Sequence, residues 1–570
     1  MTTTPRPSDS QHTQVIIAGG GPAGLTLANE LGLRGIRAIL FDQKPGTTPD
    51  PQANATQSRT MEHFRRLGFA SEIRAQGLPA DFPTDVVYFT RFCGHELARF
   101  RMPARARADT LARAGQAAGA WSTPEMPHRC SQLFIEPVIR RHAEQYPSIS
   151  LRFGMRVLAF TEHADGVSVQ VEPVAGGPVQ TYECDYFVGC DGARSATRHA
   201  LGIDMLGHGK IERDFLGGRM YAAYFASKDL YATMGVDRAW MYWTINRERR
   251  SILASLDGKE TFVFHTQLKG EDLDREIDAA RGQAFLQEAM GKPCDFRLIH
   301  SGIWNAGYML VATHYSAGRV FLAGDAVHLF TPTGGLGYNT AIDDVANLGW
   351  KLAAVLNGWG GSELLSSYSA ERQPIGARNT GKSRLFADSI GGYVPAPDLE
   401  GEGPKAEQAR AEAGAYLLDH ARREFNIPGI TFGARYDASP IIIGDGSTPP
   451  PDVINDYVPN AVPGGRTPHL WLAGGDSLYD QFGTGFTLLR ITAQTDPVRW
   501  IEAAHAMGCP LTVVNLCDDD CAAEAAALYE APLALIRPDQ HVAWRGGAQA
   551  DPAAVLAQAC GHPVDRPHIR

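Results

Sequence analysis

The chain has 570 residues, enough for about three or four domains. Its composition, 44% apolar and 20% charged, is that of a folded globular protein and excludes a disordered tail or a small stapled module. The net charge is -10, from 53 Lys+Arg against 63 Asp+Glu, and no basic run suited to a phosphate backbone occurs, so nucleic acid is not an expected partner.

Residues 1–13 are polar and read as a flexible N-terminal tail without the apolar stretch of a secretory signal. No later run approaches the roughly 20 apolar residues of a membrane span. Nine cysteines without a CxxC pair favour a reducing, cytoplasmic setting. From Val15 to Ala18 an apolar run leads into Gly19-Gly20-Gly21-Pro22-Ala23-Gly24, then a helical pattern (Leu25, Leu27, Ala28, Leu31) and a second apolar run ending at Asp42. This strand, turn, helix and strand order gives the glycines at 19, 21 and 24 distinct tasks: a tight turn, backbone approach to a pyrophosphate, and close helix packing. The helix N-terminus favours the anion, and Asp42 is placed to accept from a ribose.

A second strand pattern ends at Asp191-Gly192, with Ser195 early in the next helix. Between 205 and 299 short alternating runs read as antiparallel strands, with Trp240, Tyr242 and Thr244 on one face and Met241, Trp243 and Ile245 on the other. A third strand runs into Gly324-Asp325, followed by Pro332-Thr333-Gly334-Gly335-Leu336-Gly337-Tyr338-Asn339 and a helical spacing of apolar residues from 340 to 356. These residue types suit a bound flavin. Asp325 can accept from sugar-alcohol hydroxyls, and glycines at 334, 335 and 337 leave room for a flat ring. Amides near Gly337, Tyr338 and Asn339 can stabilise negative charge at the flavin N1/O2 edge. Two Gly/Pro-rich stretches, 391–408 and 444–465, read as connections. Beyond them strands are expected at 467–472, 511–516, 533–536 and 541–544, with helices at 497–507 and 520–529, forming a small α/β unit.

Three motifs in this order, GGGPAG at 19–24, Asp-Gly at 191–192 and the GDAVHLFTPTGGLGYNTAIDDVANLGWKLA stretch at 324–353, resemble the single-component FAD-dependent aromatic hydroxylases of the p-hydroxybenzoate hydroxylase fold. The likeness runs from about 13 to 390 and includes the helix-ending run SYSAERQP at 367–374. The C-terminal pattern is similar to the thioredoxin-like domain of the larger members, which include 3-(3-hydroxyphenyl)propionate hydroxylase, polyketide hydroxylases and rifampicin monooxygenase. The implied fold is α/β: a Rossmann-like FAD-binding domain (14–204 and 300–395) and an inserted antiparallel-sheet substrate domain (205–299), which 84–110 is free to join. A linker with a connecting helix (396–465) then leads to a thioredoxin-like α/β domain without CxxC (466–570).

By the same resemblance Gly19, Gly21, Pro22, Ala23 and Gly24 meet the FAD pyrophosphate, and Asp42 replaces the family's glutamate at the ribose. Gln132 and Asp325, with Gly324, serve the ribityl chain, and Val157 meets the adenine. Pro332, Gly335, Gly337, Tyr338 and Asn339 border the flavin ring. Asp191 belongs to the second motif, near which NADH or NADPH is expected to dock. The chain departs from the family in having one proline, Pro332, before its flavin-side glycines, and Gln52 where an arginine is common.

The resemblance implies a monooxygenase that uses FAD, NAD(P)H and O2 to hydroxylate a phenolic or polycyclic aromatic compound through a flavin C4a-hydroperoxide. Epoxidation, Baeyer-Villiger insertion and oxidative decarboxylation on the same fold are the alternatives, and a non-catalytic flavin-binding protein is a further one. The partner is then a small aromatic molecule, with a homodimer possible. The substrate pocket is expected between the inserted sheet and the 332–339 loop, with Arg219, Tyr242 and Thr244 as candidate contacts. His328 stands beside Asp325, but the family often carries that histidine without its being the base, so no catalytic base is named.

Overall fold

The computed structural model describes residues 11–47, 53–114, 121–209, 211, 213 and 215–563. Most of the expected N-terminal tail and Gln52 lie outside the described residues.

Four parallel strands carry the cofactor motifs. Gln11–Ala18 lies between Ala38–Asp42 and Gln180–Gly189, and Val320–Leu322 joins the far side of the latter. Their register brings the strand ends level: Ala18 pairs with Phe41 and Gly189, and Leu322 pairs with Gly189. The turns at Gly19, Asp42, Asp191 and Asp325 therefore emerge side by side at one edge, where open α/β sheets bind ligands. Ile149–Phe153, the antiparallel pair Met155–Glu162 and Val167–Pro173, and the short edge strand Ser316–Ala317 beside Val320–Leu322 complete this eight-stranded sheet.

The second sheet has seven strands, in the order Arg297–Asn305, Arg219–Ala226, Thr261–Gln267, Ser251–Ser255, Met241–Thr244, Val86–Phe89 and Glu96–Phe100. Two of its strands come from the 84–110 segment, Val86–Phe89 running parallel to Met241–Thr244. The sheet also continues to Asn305, past the boundary at 299 read from the sequence, because Arg297–Asn305 pairs along the whole of Arg219–Ala226. Met205–His208 leaves the substrate region altogether and pairs with Met309–Ala312 in a separate three-stranded sheet. Both faces of the seven-stranded sheet are apolar. Phe89, Tyr221, Tyr242, Leu253 and Phe264 pack on one side, while Tyr88, Met220 and Trp243 pack on the other.

The C-terminal unit is a mixed four-stranded sheet, ordered Leu511–Asn515, Phe486–Arg490, Leu533–Ile536 and Val542–Gly546, with helices on both faces. The strand expected at 467–472 is absent, and isolated bridges at Arg466 and Trp471 take its place. The central strand is Phe486–Arg490, an apolar Phe-Thr-Leu-Leu run without alternation because both its faces are covered.

This unit is fastened to the cofactor domain through buried charge. Glu371, on the helix Ser362–Gly392, accepts from Arg537 Nη1 and Nη2 at 2.7 and 2.8 Å and from Lys351 Nζ at 2.6 Å. Arg537 also donates to Asp539, whose Oδ2 accepts from Trp350 Nε1 at 3.2 Å. Burial alone would raise the Glu371 carboxyl, but Arg537 and Lys351 outweigh it and hold it down at about 2.

Removing one member of such a network strands the others without countercharge. Glu371→Gln is expected to lower the unfolding free energy by about 3–5 kcal/mol, measured as a shift in urea midpoint at constant m value. The native carboxyl sits below its ordinary 4.5, so the unfolded chain binds more protons between that value and about 2. Its contribution is therefore complete above pH 4.5 and lost as pH falls through the native value, and the variant's acid profile is expected to be shallower.

Candidate active site

A cavity of about 1150 Å³ runs from the strand ends of the first sheet to one face of the second. At its nucleotide end the backbone must turn where a side chain has no room. Gly19 has φ of +109°, and a Cβ there would stand 2.1 Å from the Cys190 carbonyl oxygen. A Cβ on Gly24 would stand 1.9 Å from the Gly19 carbonyl oxygen, so this glycine lets the helix Pro22–Leu33 seat against the turn and does not itself line the cavity. Gly21 is the opposite case: it lines the cavity, and a Cβ there would meet nothing within 4 Å. That open space lies before a helix whose first turn has Pro22 and free amides, a cradle suited to a pyrophosphate.

Asp42 is set by two backbone donors, Gly20 N–H to Oδ2 at 2.5 Å and Lys44 N–H to Oδ1 at 2.7 Å, and it lines the cavity with Val157 and Gln132. Gln132 opens the helix Gln132–Ala143, which Ser131 caps by accepting from Leu133 N–H, and its side-chain amide donates to Glu136. Asp191 also lies in the wall, but its carboxylate is already engaged. It accepts from Ser195 Oγ at 2.5 Å and from Thr197 N and Oγ1 at 3.0 and 2.9 Å, fixing the short helix Ala196–Ala200.

Asp325 differs from these. It opens onto the cavity, and among the described residues its carboxylate receives no hydrogen bond. The surrounding protein raises the carboxyl above its ordinary range, an effect that His328 partly offsets. An acceptor held in this way fits the hydroxyls of a ribityl chain. Gly324 lies behind the wall, where its N–H donates to Asp344 Oδ2 at 3.2 Å.

At the ring end Gly334 and Gly335 have φ of +71° and +62°, a consecutive left-handed pair that only glycines adopt readily. Gly335 precedes the helix Leu336–Leu356 with no side-chain cap, so the first amides of that helix are left for a ligand. Pro332, Gly335, Gly337 and Tyr338 line the cavity. Asn339 does not, and its side chain is spent on the scaffold: it accepts from Gln57 N–H and Thr60 Oγ1 and donates to the Ala55 and Gly335 carbonyls. His328 is likewise enclosed behind the wall, 2.7 Å from Asp344 Oδ2, which leaves it no route to a substrate.

The three expected substrate contacts are corrected. Arg219 is half-buried, donates to the Leu273 carbonyl and lies outside the cavity. Tyr242 and Thr244 are fully buried on the other face of their strand. The Tyr242 hydroxyl accepts from Ala239 N–H at 2.6 Å and its ring packs against Phe89, while Thr244 Oγ1 donates to the Arg249 carbonyl at 3.5 Å. The face that meets the cavity is that of Met241 and Trp243. Trp243, Ile252 and His265 are in register across three strands and form a row in its wall. Burial pushes the His265 imidazole down to about 4, so it is neutral at pH 7. Trp240, Trp304, Tyr308, Phe425, Arg129 and Glu424 complete this end. Glu424 accepts from Gly334 N–H at 2.9 Å and so steadies the ring loop.

Residues 12–383 match the family described as FAD binding domain, and residues 460–567 match the aromatic-ring hydroxylase C-terminal domain. The chain belongs to this family of FAD-dependent aromatic-ring monooxygenases. It is 30% identical to the FAD-dependent monooxygenase apdD of Emericella nidulans over 97% of this chain and 91% of that one. It is 29% identical to aklavinone 12-hydroxylase RdmE of Streptomyces purpurascens, over 98% of this chain and 100% of the other. Among solved structures, RebC with bound 7-carboxy-K252c superposes with a TM-score of 0.86 at 32% identity, covering 97% of this chain and 100% of RebC. FAD is thus the bound cofactor, with NAD(P)H and O2 as co-substrates. No helix among the described residues is long and apolar enough to cross a membrane.

The unshared Asp325 carboxylate carries a direct expectation. Asp325→Ala is expected to weaken FAD binding about tenfold or more, measured by quenching of FAD fluorescence on titration with apoprotein. Arg219→Ala is expected to leave both FAD affinity and substrate KM unchanged.

Proposed function

We propose that this monooxygenase hydroxylates a planar polycyclic phenol of three or four fused rings. The observation that carries this reading is the ring end of the cavity, where Trp240, Trp243, Trp304, Tyr308 and Phe425 line one continuous space with the flavin-side loop. Flat aromatic walls suit a flat ligand. The names of two relatives agree with it: RdmE is an aklavinone hydroxylase, and the RebC structure holds 7-carboxy-K252c.

Bound FAD supplies the redox chemistry, taking a hydride from NAD(P)H and delivering one atom of O2 to the substrate. The chain's residues have the other tasks. Gly21 and the Pro22–Leu33 helix terminus would hold the pyrophosphate, Asp42 the ribose and Asp325 the ribityl hydroxyls. The amides at Gly337 and Tyr338, at an uncapped helix start in the cavity wall, would stabilise the negative charge of the reduced ring. The aromatic wall orients the substrate ring and excludes water, which limits loss of oxidising equivalents as H2O2. His265, neutral in that wall, can accept a hydrogen bond from a phenol hydroxyl, which orients the ring and raises its electron density without the imidazole taking the proton.

The test is turnover with NADH and NADPH over a series of phenols of one to four rings, scoring hydroxylated product against H2O2. Tricyclic and tetracyclic phenols are expected to accelerate NAD(P)H oxidation and to give product one oxygen heavier. Productive turnover confined to single-ring phenols would overturn the reading. Trp304→Ala, a partly exposed wall residue, is expected to raise KM for the tetracyclic substrate about tenfold and to increase the H2O2 fraction while FAD content stays normal.

A further inference from the structure

Eight arginines are buried among the described residues: 59, 129, 198, 250, 372, 466, 537 and 545. Seven of them donate to an oxygen of the protein. Arg59 and Arg466 reach Glu62, Arg372 reaches Asp344, Arg537 reaches Glu371, Arg545 reaches Asp445, and Arg198 and Arg250 reach backbone carbonyls. Arg129 is the exception. Its one side-chain hydrogen bond among the described residues is from Nη2 to the Met102 thioether at 4.0 Å, a weak acceptor.

The position of this guanidinium is fixed on both sides. Its backbone carbonyl accepts from Leu78 N–H, and three residues on, Gln132 begins the helix at the flavin side of the cavity. Its head lies over the Trp240 ring, 4.1 Å from the centroid, and the Phe425 ring meets Trp240 edge-on. Stacking occupies a face of the guanidinium and leaves its edge N–H groups available. The other fixed cations of the wall, Lys44, Arg156 and Arg194, adjoin Asp42, Val157 and Asp191 at the nucleotide end, whereas Arg129 stands among the rings. Burial with no anion beside it lowers its pKa to about 10, which leaves it charged at pH 7. A buried charge without a partner is costly, and a planar fork of donors matches a carboxylate in bidentate fashion.

We propose that Arg129 anchors a carboxylate borne by the substrate, so that the enzyme's natural ligand is a polycyclic aromatic acid. This rests on the polycyclic reading above and adds the charged group and the residue that holds it. The acid would lie at the edge of the ring system facing Trp240 and Phe425, which fixes which ring is turned toward the flavin loop.

The test compares anthraquinone-2-carboxylate with its methyl ester on the FAD-loaded enzyme, with Kd read from the perturbation of the flavin spectrum and by calorimetry. The wild type is expected to bind the acid at least tenfold more tightly than the ester. Arg129→Met is expected to abolish that preference while the ester Kd moves less than about threefold, and Arg129→Lys to restore part of it. FAD content of each variant reports whether the site has survived. Ester binding reports on the polycyclic reading, and the ratio of acid to ester reports on Arg129. If the ester binds as tightly as the acid in the wild type, the Arg129 assignment alone falls; if neither binds, both fall. Equal weakening of acid and ester in Arg129→Met, or loss of FAD from that variant, would show a merely structural cation and overturn the assignment.

Discussion

Asp344, enclosed within the helix Leu336–Leu356, accepts from Arg372 Nε at 2.8 Å and from Gly324 N–H, and lies 2.7 Å from His328 Nε2. Both sides of the flavin region are registered to this one carboxylate. The turn that presents Asp325 hangs from it through Gly324, and the helix that carries it begins at the ring loop. Two turns further along the same helix, Lys351 enters the second buried cluster with Glu371, Arg537 and Asp539. A slip of the helix by one residue would separate both sets of charges from their partners, a cost of several kcal/mol in a dry interior. The C-terminal unit, which supplies Arg537 and Asp539, thereby helps hold the cofactor loop in place without touching the cavity.

The cavity built on this frame divides its chemistry. Carboxylates at 42, 191 and 325 and helix amides lie toward the nucleotide, while the opposite end is aromatic, with a neutral imidazole, the Glu424 carboxylate engaged by Gly334 N–H, and one cation held against tryptophan. Oxygen transfer to a ring needs a dry, shaped space next to the cofactor, and the polar groups that hold the cofactor have to be kept out of that space. The two-sheet architecture achieves this by drawing the polar turns from one sheet and the aromatic wall from the other.

The sequence made the cofactor side legible because its signals are local. Gly19, Gly21 and Gly24 serve a turn within six residues, and Asp42 and Asp325 each end a strand. The substrate side was legible in outline and misread in detail. Alternation separated the two faces over residues 241–245, but Trp240, read with Tyr242 and Thr244, precedes the strand and lines the cavity with Met241 and Trp243. Both faces are apolar since the sheet is covered on both sides, and nothing local tells which of them meets the cavity. Tyr242 and Thr244 share a face that turns away from the cavity, the Tyr242 hydroxyl being bonded to its own turn, while Trp243 and His265 of the facing row carry no motif. Asn339 belongs to a recognised stretch, yet its amide pins residues 55–60 from behind. Glu424 reaches the Gly334 amide across 90 residues of chain from a region that reads only as a connection, a contact that composition and periodicity cannot reveal.

The central claim is that the Asp325 turn and the 332–338 loop together hold the flavin with its reactive ring open to the Trp243–His265 row. A crystal structure of the FAD-loaded enzyme tests it most directly. The account predicts an Asp325 carboxylate oxygen about 3 Å from a ribityl hydroxyl, the isoalloxazine edge against the amides at Gly337 and Tyr338, and the free side of the ring facing that row. An isoalloxazine ring seated elsewhere, with Asp325 making no contact to the ribityl chain, would contradict it.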